Sequence, residues 1–402
     1  MTKVSIALSE LTEDTRPITY GVVKPGPEDN ETGVRFVRGG DVKEGKIKID
    51  ELRTITQDVS TEYKRTLLKG GELLISLVGN PGEVALAPVN LIGANIARQV
   101  GLVALRPEEN SKYVMYFLQS PLGRSRMFQR TQGAVQQVIN LKDLREILID
   151  FPSPEKQTKI VESLERYDDL IDNNRRRIAL LEESARLLYR EWFVKHNFLN
   201  SSYDTSSFND PKAWNDVNLG QVAETNPENY TARNLPEQIN YIDISSVQTG
   251  RVASKNHMNS EEAPGRARRK IRHGDIIWSN VRPNLKAYSL ILNPESTDVC
   301  STGFTVLRSI NVPWSFLYLH VTENKFVDFL MNRATGTSYP AVRPDDFEAA
   351  SLKLPPKHLL EIFHELCEPI FNQVMLLDQT NYQLAKARDL LLPRLMDGRV
   401  AV

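Results

Sequence analysis

The chain has 402 residues, of which 41% are apolar and 25% charged, with a formal net charge of −1. That is the composition of an ordinary soluble globular protein long enough for two or three domains with cores of their own. It excludes the overall basic excess that a self-sufficient nucleic-acid binder often carries, so any such contact must come from local patches or from partner subunits.

Residues Met1-Thr2-Lys3-Val4-Ser5-Ile6 lack the apolar core of a signal peptide, and no apolar run approaches the roughly 20 residues of a membrane span, so a cytoplasmic protein is expected. Residues 1–153 read as short strands separated by turn chemistry. Leu73 to Val78 is an apolar strand closed by the turn Gly79-Asn80-Pro81-Gly82, and Val84 to Ala87 and Gly101 to Leu105 are further strands. Lys112 to Met127 reads as one helix, with Val114, Phe117, Leu118 and Leu122 on one side.

From Pro154 the period changes. Ile160, Leu164, Tyr167, Ile171, Asn174, Ile178, Leu181, Ala185, Leu188 and Trp192 follow alternating steps of four and three, a heptad seam with no internal Gly or Pro. Leu170, Leu180, Leu187 and Phe193 widen the stripe enough to pack against more than one helix. Residues 154–198 therefore form a first long helix, about 60 Å in length at ~1.5 Å per residue. Residues 199–213 are polar and turn-rich and read as a linker. Residues 214–356 repeat the strand-rich pattern, and residues 357–402 hold a second long helix and a tail. The second helix carries Ile370, Val374, Leu377, Leu384 and Leu391 on its apolar face, and Pro369 is expected to kink or restart it. If the helices pair, Asn174 and Asn381 lie in or near the seam, where a polar residue fixes register, or at its wet edge.

The two halves are diverged copies. Gly71-Glu72-Leu73-Leu74-Ile75-Ser76 returns as Gly274-Asp275-Ile276-Ile277-Trp278-Ser279, and Thr131-Gln132-Gly133 returns as Thr335-Gly336-Thr337. Leu141 to Leu144 returns as Pro344 to Phe347, and Ile149 to Pro152 as Leu352 to Pro355. All four anchors keep one offset of 203 residues, as in 71 to 274 and 152 to 355. A duplicated chain offers two similar binding surfaces on one frame, so a bipartite target is expected.

Chemistry-bearing candidates follow the repeat. Arg266-Ala267-Arg268-Arg269-Lys270-Ile271-Arg272 holds five cations in seven residues, which suits phosphate neutralisation but is also what a solvated loop looks like. Asn80, Asn95, Arg98 and Gln99 in the first half lie in turns or at strand edges. Asn280, Arg282, Asn284 and Lys286 follow the matching strand in the second half. Arg, Asn and Gln make bidentate contacts to base edges, although turn chemistry alone also explains Asn and Pro there. A glycine-containing polar loop occupies the same place in each half: Arg130, Gln136 and Gln137 in one, Thr337, Ser338, Tyr339 and Arg343 in the other. Such a loop lets backbone approach a phosphate or a groove.

No catalytic pattern emerges: no phosphate loop, no dinucleotide fingerprint, no nucleophile elbow and no metal-ligand spacing among the six histidines. Cys300 and Cys367 lie far apart without a CxxC pattern and read as two reduced thiols. A self-contained DNA methyltransferase or nuclease with an unrecognised site is the alternative reading, since catalytic groups need converge only in space. A coiled-coil scaffold without nucleic-acid binding is a third.

Several segments resemble the specificity subunit of type I restriction–modification systems. They are Gly71 to Ser76 with the Gly79-Asn80-Pro81-Gly82 turn, Gly133 to Gln137 with Ile139-Asn140-Leu141-Lys142-Asp143-Leu144, Cys300-Ser301-Thr302-Gly303-Phe304, and Leu390 to Gly398 at the C-terminus. The order of globular half, long helix, globular half, long helix is similar too. Pro154-Glu155-Lys156-Gln157 keeps the flavour of the family's helix start, whereas Pro355-Pro356-Lys357-His358-Leu359-Leu360 departs from it by losing the Glu-Gln pair. The resemblance implies an α+β fold of two similar target recognition domains, each a mixed, curved sheet with helices. The two domains would be separated by two long helices forming an antiparallel coiled coil. It also implies a non-catalytic reader of double-stranded DNA that docks two methyltransferase subunits and, with them, two restriction subunits. S-adenosylmethionine would then belong to the methyltransferase, ATP and Mg to the restriction subunit, and no cofactor or metal to this chain. The expected helix interface comprises Ile160, Leu164, Ile171, Ile178, Leu181, Leu188 and Trp192 on the first helix, facing Ile370, Val374, Leu377, Leu384 and Leu391 on the second.

Overall fold

The computed structural model describes residues 4–50, 52–129, 138–196, 214–231, 233–336 and 338–400. The chain divides into two compact units. The first comprises residues 1–172 with 381–402, the second residues 173–380. The architecture is mixed helix and sheet, with two long helices, Pro154–Tyr189 and Lys357–Met396.

In the first unit a four-stranded antiparallel sheet has the order Thr19–Tyr20, Val100–Val103, Leu73–Ser76, Val84–Leu86. Strand Leu73–Ser76 reads as an unbroken apolar run because both of its faces are covered. Leu73 and Ile75 enter a core with Phe117 and Leu118, while Leu74 joins Val37, Ile96 and Leu102 on the other side. A second sheet orders Arg53–Ile55, Val34–Val37 and Asn95–Ile96, the last two parallel. Strand Val4–Ala7 pairs antiparallel with Leu148–Phe151.

The second unit repeats this plan. Its sheet runs Ala223–Thr225, Phe304–Ser309, Ile276–Ser279, Tyr288–Leu290, and its central strand splits Ile276 and Trp278 from Ile277 between two cores. The companion sheet orders Asn256–Asn259, Gln238–Ile242, Asp298–Ser301 and Ala267–Lys270, again with one parallel pair. Its last strand has no counterpart among the described residues of the first unit. Helices beginning at Ser111, Pro121, Leu141 and Pro154 return at Trp314, Asn324, Pro344 and Lys357, each 203 residues on.

The acidic residue of the repeated Gly-Glu/Asp motif has a structural task in both copies. Glu72 accepts the Lys69 N–H at 2.6 Å and pairs with Arg16 at 2.8 Å. Asp275 accepts the Arg272 N–H at 2.7 Å and takes both arms of Arg308 at 2.8 and 2.7 Å. Each carboxylate closes the turn before its strand and is matched by a buried arginine. The preceding glycines, Gly71 and Gly274, sit at φ +87° and +83°, where a side chain would strain the backbone.

The long helices contribute to both cores. In the first unit Ile160, Val161 and Leu164 pack with Leu392, Leu395 and Met396, and Arg388 Nη1 donates to Asp168 at 2.6 Å. In the second, Tyr189, Trp192 and Phe193 surround Phe363, with Phe193 and Phe363 rings 4.8 Å apart. Within each unit the two helical segments therefore run in opposite directions.

Three expectations change. The helix read over 112–127 is two, Ser111–Gln119 and Pro121–Phe128, because Ser120 Oγ caps Gly123 N–H at 3.1 Å and Pro121 starts the second. Pro369 does not restart the second long helix, which runs unbroken from Lys357 to Met396. Leu170, Leu180 and Leu187 do not widen a buried seam; they are exposed, Leu180 by 72%, and only Phe193 of that set is buried. The expected linker at 199–213 lies outside the described residues.

Candidate nucleic-acid interface

In both units the central strand ends in a serine that bends the chain into a loop. Ser76 Oγ donates to the Val78 carbonyl at 3.4 Å, and Ser279 Oγ to the Val281 carbonyl at 2.9 Å. The residue after each serine then holds a second loop. The Ile139 N–H donates to the Leu77 carbonyl at 3.1 Å, and the Val342 N–H to the Asn280 carbonyl at 2.9 Å. These are the same bond 203 residues apart, so Ile139 in one half and Val342 in the other meet the end of the central strand in the same way.

In the second unit this junction is laid out in full. Asn280 spends its side chain internally, accepting Thr305 Oγ1 at 2.7 Å. The Arg282 N–H donates to the Pro340 carbonyl at 2.7 Å, and Val281 bridges Ala341. The Arg282 guanidinium lies over the Tyr339 ring, 4.4 Å from its centroid, and Nη2 reaches the Ser338 carbonyl at 3.5 Å. Tyr339 is 67% exposed. Lys286 Nζ donates to Asn324 Oδ1 at 2.9 Å, and Asn284 is exposed between them. Arg282 and Lys286 both occupy the left-handed region, at φ 52°. Each costs about 1–2 kcal/mol relative to a right-handed residue, so the surrounding bonds hold this loop in one strained shape.

Arg343 caps the next helix: its N–H donates to Asp346 Oδ2 at 2.8 Å, while Arg333 Nε reaches Asp346 Oδ1 at 3.0 Å. Desolvation alone would raise the Asp346 carboxyl, but these two bonds and both positive charges outweigh it and hold the group below the usual carboxylate range.

The basic run is a strand, not a loop. Residues Ala267–Lys270 pair with Asp298–Ser301 on one side, and Asn229 bridges Arg269 on the other. Its cations divide between the two ends. Arg266 is exposed beside the junction, its carbonyl taking the Thr302 N–H at 2.8 Å. Arg268 is half-buried and donates to the Ala267 carbonyl. Arg269 donates to Asn229 Oδ1 at 2.8 Å, and burial lowers its pKa. Lys270 lies at the far end, 3.6 Å from Glu228, which also takes Arg272 at 2.5 Å and Arg308 at 2.6 Å. The Arg308 bond is the main reason the Glu228 carboxyl stays below its ordinary value. Lys270 is thus paired, sharing the Glu228 carboxylate with two arginines, and the run is not an open phosphate site along its whole length.

In the first unit Asn80, Arg98 and Gln99 are exposed on adjoining turns, with the Leu77 N–H donating to the Gln99 carbonyl at 2.8 Å. Asn95 is a correction. It is fully buried, accepts Ser60 Oγ at 2.7 Å and donates to the Tyr63 carbonyl at 3.4 Å, so it is a core residue and reaches no base. Arg130, Gln136, Gln137 and Thr337 lie outside the described residues. Thr305 and Pro340, which brace Asn280 and Arg282, were not singled out from the sequence, because their role exists only once distant segments meet. Among the described residues, no group of three or more His, Cys, Asp or Glu side chains could hold a metal ion.

Residues 16–183 match the type I restriction modification DNA specificity domain. The chain is 24% identical over 367 residues to the type I restriction enzyme MjaIX specificity subunit of Methanocaldococcus jannaschii, covering 87% of this chain and 82% of the relative. It is 30% identical over 171 residues to the EcoBI specificity subunit of Escherichia coli, 41% of this chain and 35% of that one. The chain is thus similar over most of its length to specificity subunits of type I restriction–modification systems, and residues 16–183 carry the match to their DNA specificity domain. Its fold matches the crystal structure of the type I restriction–modification system S subunit from M. genitalium with a TM-score of 0.54 at 14% identity, over 98% of this chain and 96% of the other. No described helix of the chain is long and apolar enough to cross a membrane.

Proposed function

We propose that this chain is the specificity subunit of a type I restriction–modification system and the non-catalytic reader of a bipartite DNA target, with each globular half reading one half-site. Residues 1–153 and 214–356 are the two target recognition domains. Residues 154–198 and 357–402 form the helical spacer, and 199–213 link the halves. The observation that carries the reading is the duplication itself. One offset of 203 residues reproduces the helices, the central strands and the bond by which Ile139 and Val342 meet their strand ends. Asn80, Arg98 and Gln99 serve one half-site. Arg266, Arg268, Asn280, Arg282, Asn284, Lys286, Ser338, Tyr339 and Arg343 serve the other, some by touching DNA and some, such as Asn280, by positioning.

The paired helices set the gap between half-sites and dock two methyltransferase subunits, which bring S-adenosylmethionine and flip the target adenine into their own sites. Two restriction subunits, with ATP and Mg, complete the assembly in the cytoplasm. Support for docking comes from the apolar side chains the helices leave uncovered, among them Leu170, Leu180, Leu187, Leu376, Tyr382 and Leu390. The test is the genome-wide N6-methyladenine pattern with and without this chain. A split motif with a fixed gap should vanish on deletion. Inserting one base pair into that gap should abolish binding by the assembled methyltransferase, because it rotates one half-site relative to the other. Unchanged methylation, or unchanged affinity for the lengthened site, refutes the reading.

A further inference from the structure

We infer that Arg282 reads a guanine in the half-site of the second globular half, and that Tyr339 is the positioning residue that aims it. The inference rests on the DNA-reading function proposed above and assigns a base to one side chain. Four observations converge. Arg282 sits at the end of the central strand, on the loop where the two polar segments of the second unit meet. Its backbone is held left-handed at φ 52°, a shape that needs the bond from its N–H to the Pro340 carbonyl and the buried Pro283 beside it. Its guanidinium lies over the exposed Tyr339 ring, 4.4 Å from the centroid. Among the described residues, the one hydrogen bond of its guanidinium is a long one, 3.5 Å, from Nη2 to the Ser338 carbonyl.

Stacking fixes the plane of a guanidinium while leaving its N–H edge open, because the ring occupies a face and donates nothing. A fixed planar fork with free donors matches the O6 and N7 acceptors that guanine presents side by side in the major groove. A phosphate contact would need neither the fixed plane nor the strained backbone, since any cation on a flexible stem neutralises phosphate. The first half has no arginine at the equivalent position: 203 residues earlier stands Gly79, in the Gly79-Asn80-Pro81-Gly82 turn. An Arg282-dependent guanine is therefore expected in one half-site only, and the other half-site supplies an internal control.

The experiment uses the assembled methyltransferase and a duplex carrying its methylated bipartite motif, with each guanine in turn replaced by 7-deazaguanine, which lacks N7. For the unaltered complex, one substitution in one half-site should weaken binding about ten-fold. With Arg282→Lys that same substitution should become neutral, while substitutions in the other half-site keep their effect. Tyr339→Leu should reduce the penalty at that guanine and leave the salt dependence of binding unchanged. The inference is overturned if every 7-deazaguanine is neutral, or if the penalties are the same with and without Arg282→Lys. It is equally overturned if Arg282→Gln weakens all sequences alike and flattens the salt dependence while Arg282→Lys does neither, which marks a phosphate contact. If the unaltered complex shows no preference for any bipartite duplex, the DNA-reading function itself fails; a preference with no Arg282-dependent guanine removes only the assignment.

Discussion

His320 makes the second unit sensitive to mild acid. It is half-buried on the helix Trp314–Val321, with Tyr189 of the first long helix 2.9 Å from Nδ1 and the Phe316 and Phe326 rings against it. Burial without a charge partner depresses its pKa from 6.5 to about 4. In the unfolded chain the imidazole protonates near its ordinary value, so between the two values the unfolded state binds more protons and stability falls as pH falls. Above pH 7.5 the effect is absent; at pH 5 it amounts to about 2 kcal/mol, growing to about 3 kcal/mol below pH 4. The four tryptophans, Trp192, Trp214, Trp278 and Trp314, all belong to this unit, so their fluorescence during urea unfolding reports on it alone. The pH dependence should be compared between the natural chain and His320→Asn, whose amide oxygen still accepts from Tyr189. Other groups also shift: Glu228, Asp243 and Asp346 are held low, Glu182 and Asp378 are raised by burial, and they act alike in both proteins and cancel in the difference. The stability lost between pH 7.5 and pH 5 should be about 2 kcal/mol smaller in His320→Asn. Equal losses in the two proteins would refute the argument.

Further outcomes follow from the core and the helices. Asp275→Ala leaves Arg308 with Glu228 as its one acidic partner and opens the turn before the central strand, and should cost about 1–3 kcal/mol in the same urea assay. Gly274→Ala forces a side chain at φ +83° and places its Cβ 2.8 Å from Trp314 Cδ1, so it should lower the melting temperature further than Gly398→Ala, at φ +80° with nothing within 4 Å. Leu164→Ala, fully buried in the first unit, should destabilise the isolated chain by about 2–5 kcal/mol. Leu180→Ala should change it by about 0.5 kcal/mol at most and instead weaken co-purification of the methyltransferase subunits.

The features legible in the sequence are those encoded locally or by periodicity. The 203-residue offset, the apolar central strands and the two long helices all read directly, because each depends on spacing along the chain. What escaped depends on segments far apart. The Gly-Glu/Asp motif was visible as a repeat, but its task was not, since Arg16 and Arg308 come from elsewhere in the chain. Asn95 and Asn80 look alike in a sequence, yet one satisfies Ser60 in the core and the other faces solvent. The basic run read as a candidate phosphate patch or a solvated loop because its neutralising partner, Glu228, lies 42 residues before Lys270 in the chain. The break at Ser120-Pro121 was readable in principle, as a cap followed by a first-turn proline. The apolar period that continues across it masked the stop.

The function proposed above requires the contact loops to be fixed to the long helices, and each unit contains a continuous path between the two. In the second unit Arg282 follows directly on the strand bearing Trp278. Trp278 Nε1 donates to the Val321 carbonyl at 3.2 Å, at the end of the helix that carries His320. Tyr189 on the first long helix bonds His320, and its ring lies 6.2 Å from that of Phe363 on the second. In the first unit, Leu77 and Ile75 share a core with Phe117, Ile160 and Leu164, and so with the ends of both long helices. Close-packed interiors transmit displacement because they have no voids to absorb it. A cavity cut into this path should therefore loosen the registration of a half-site without touching DNA. Phe363→Ala, once shown to stay folded by its tryptophan fluorescence, should blur the spacer requirement: targets one base pair too long should lose less affinity relative to the correct target than they do with the natural chain. An undiminished penalty for the longer gap would mean that the core does not carry the registration and that partner subunits impose it instead.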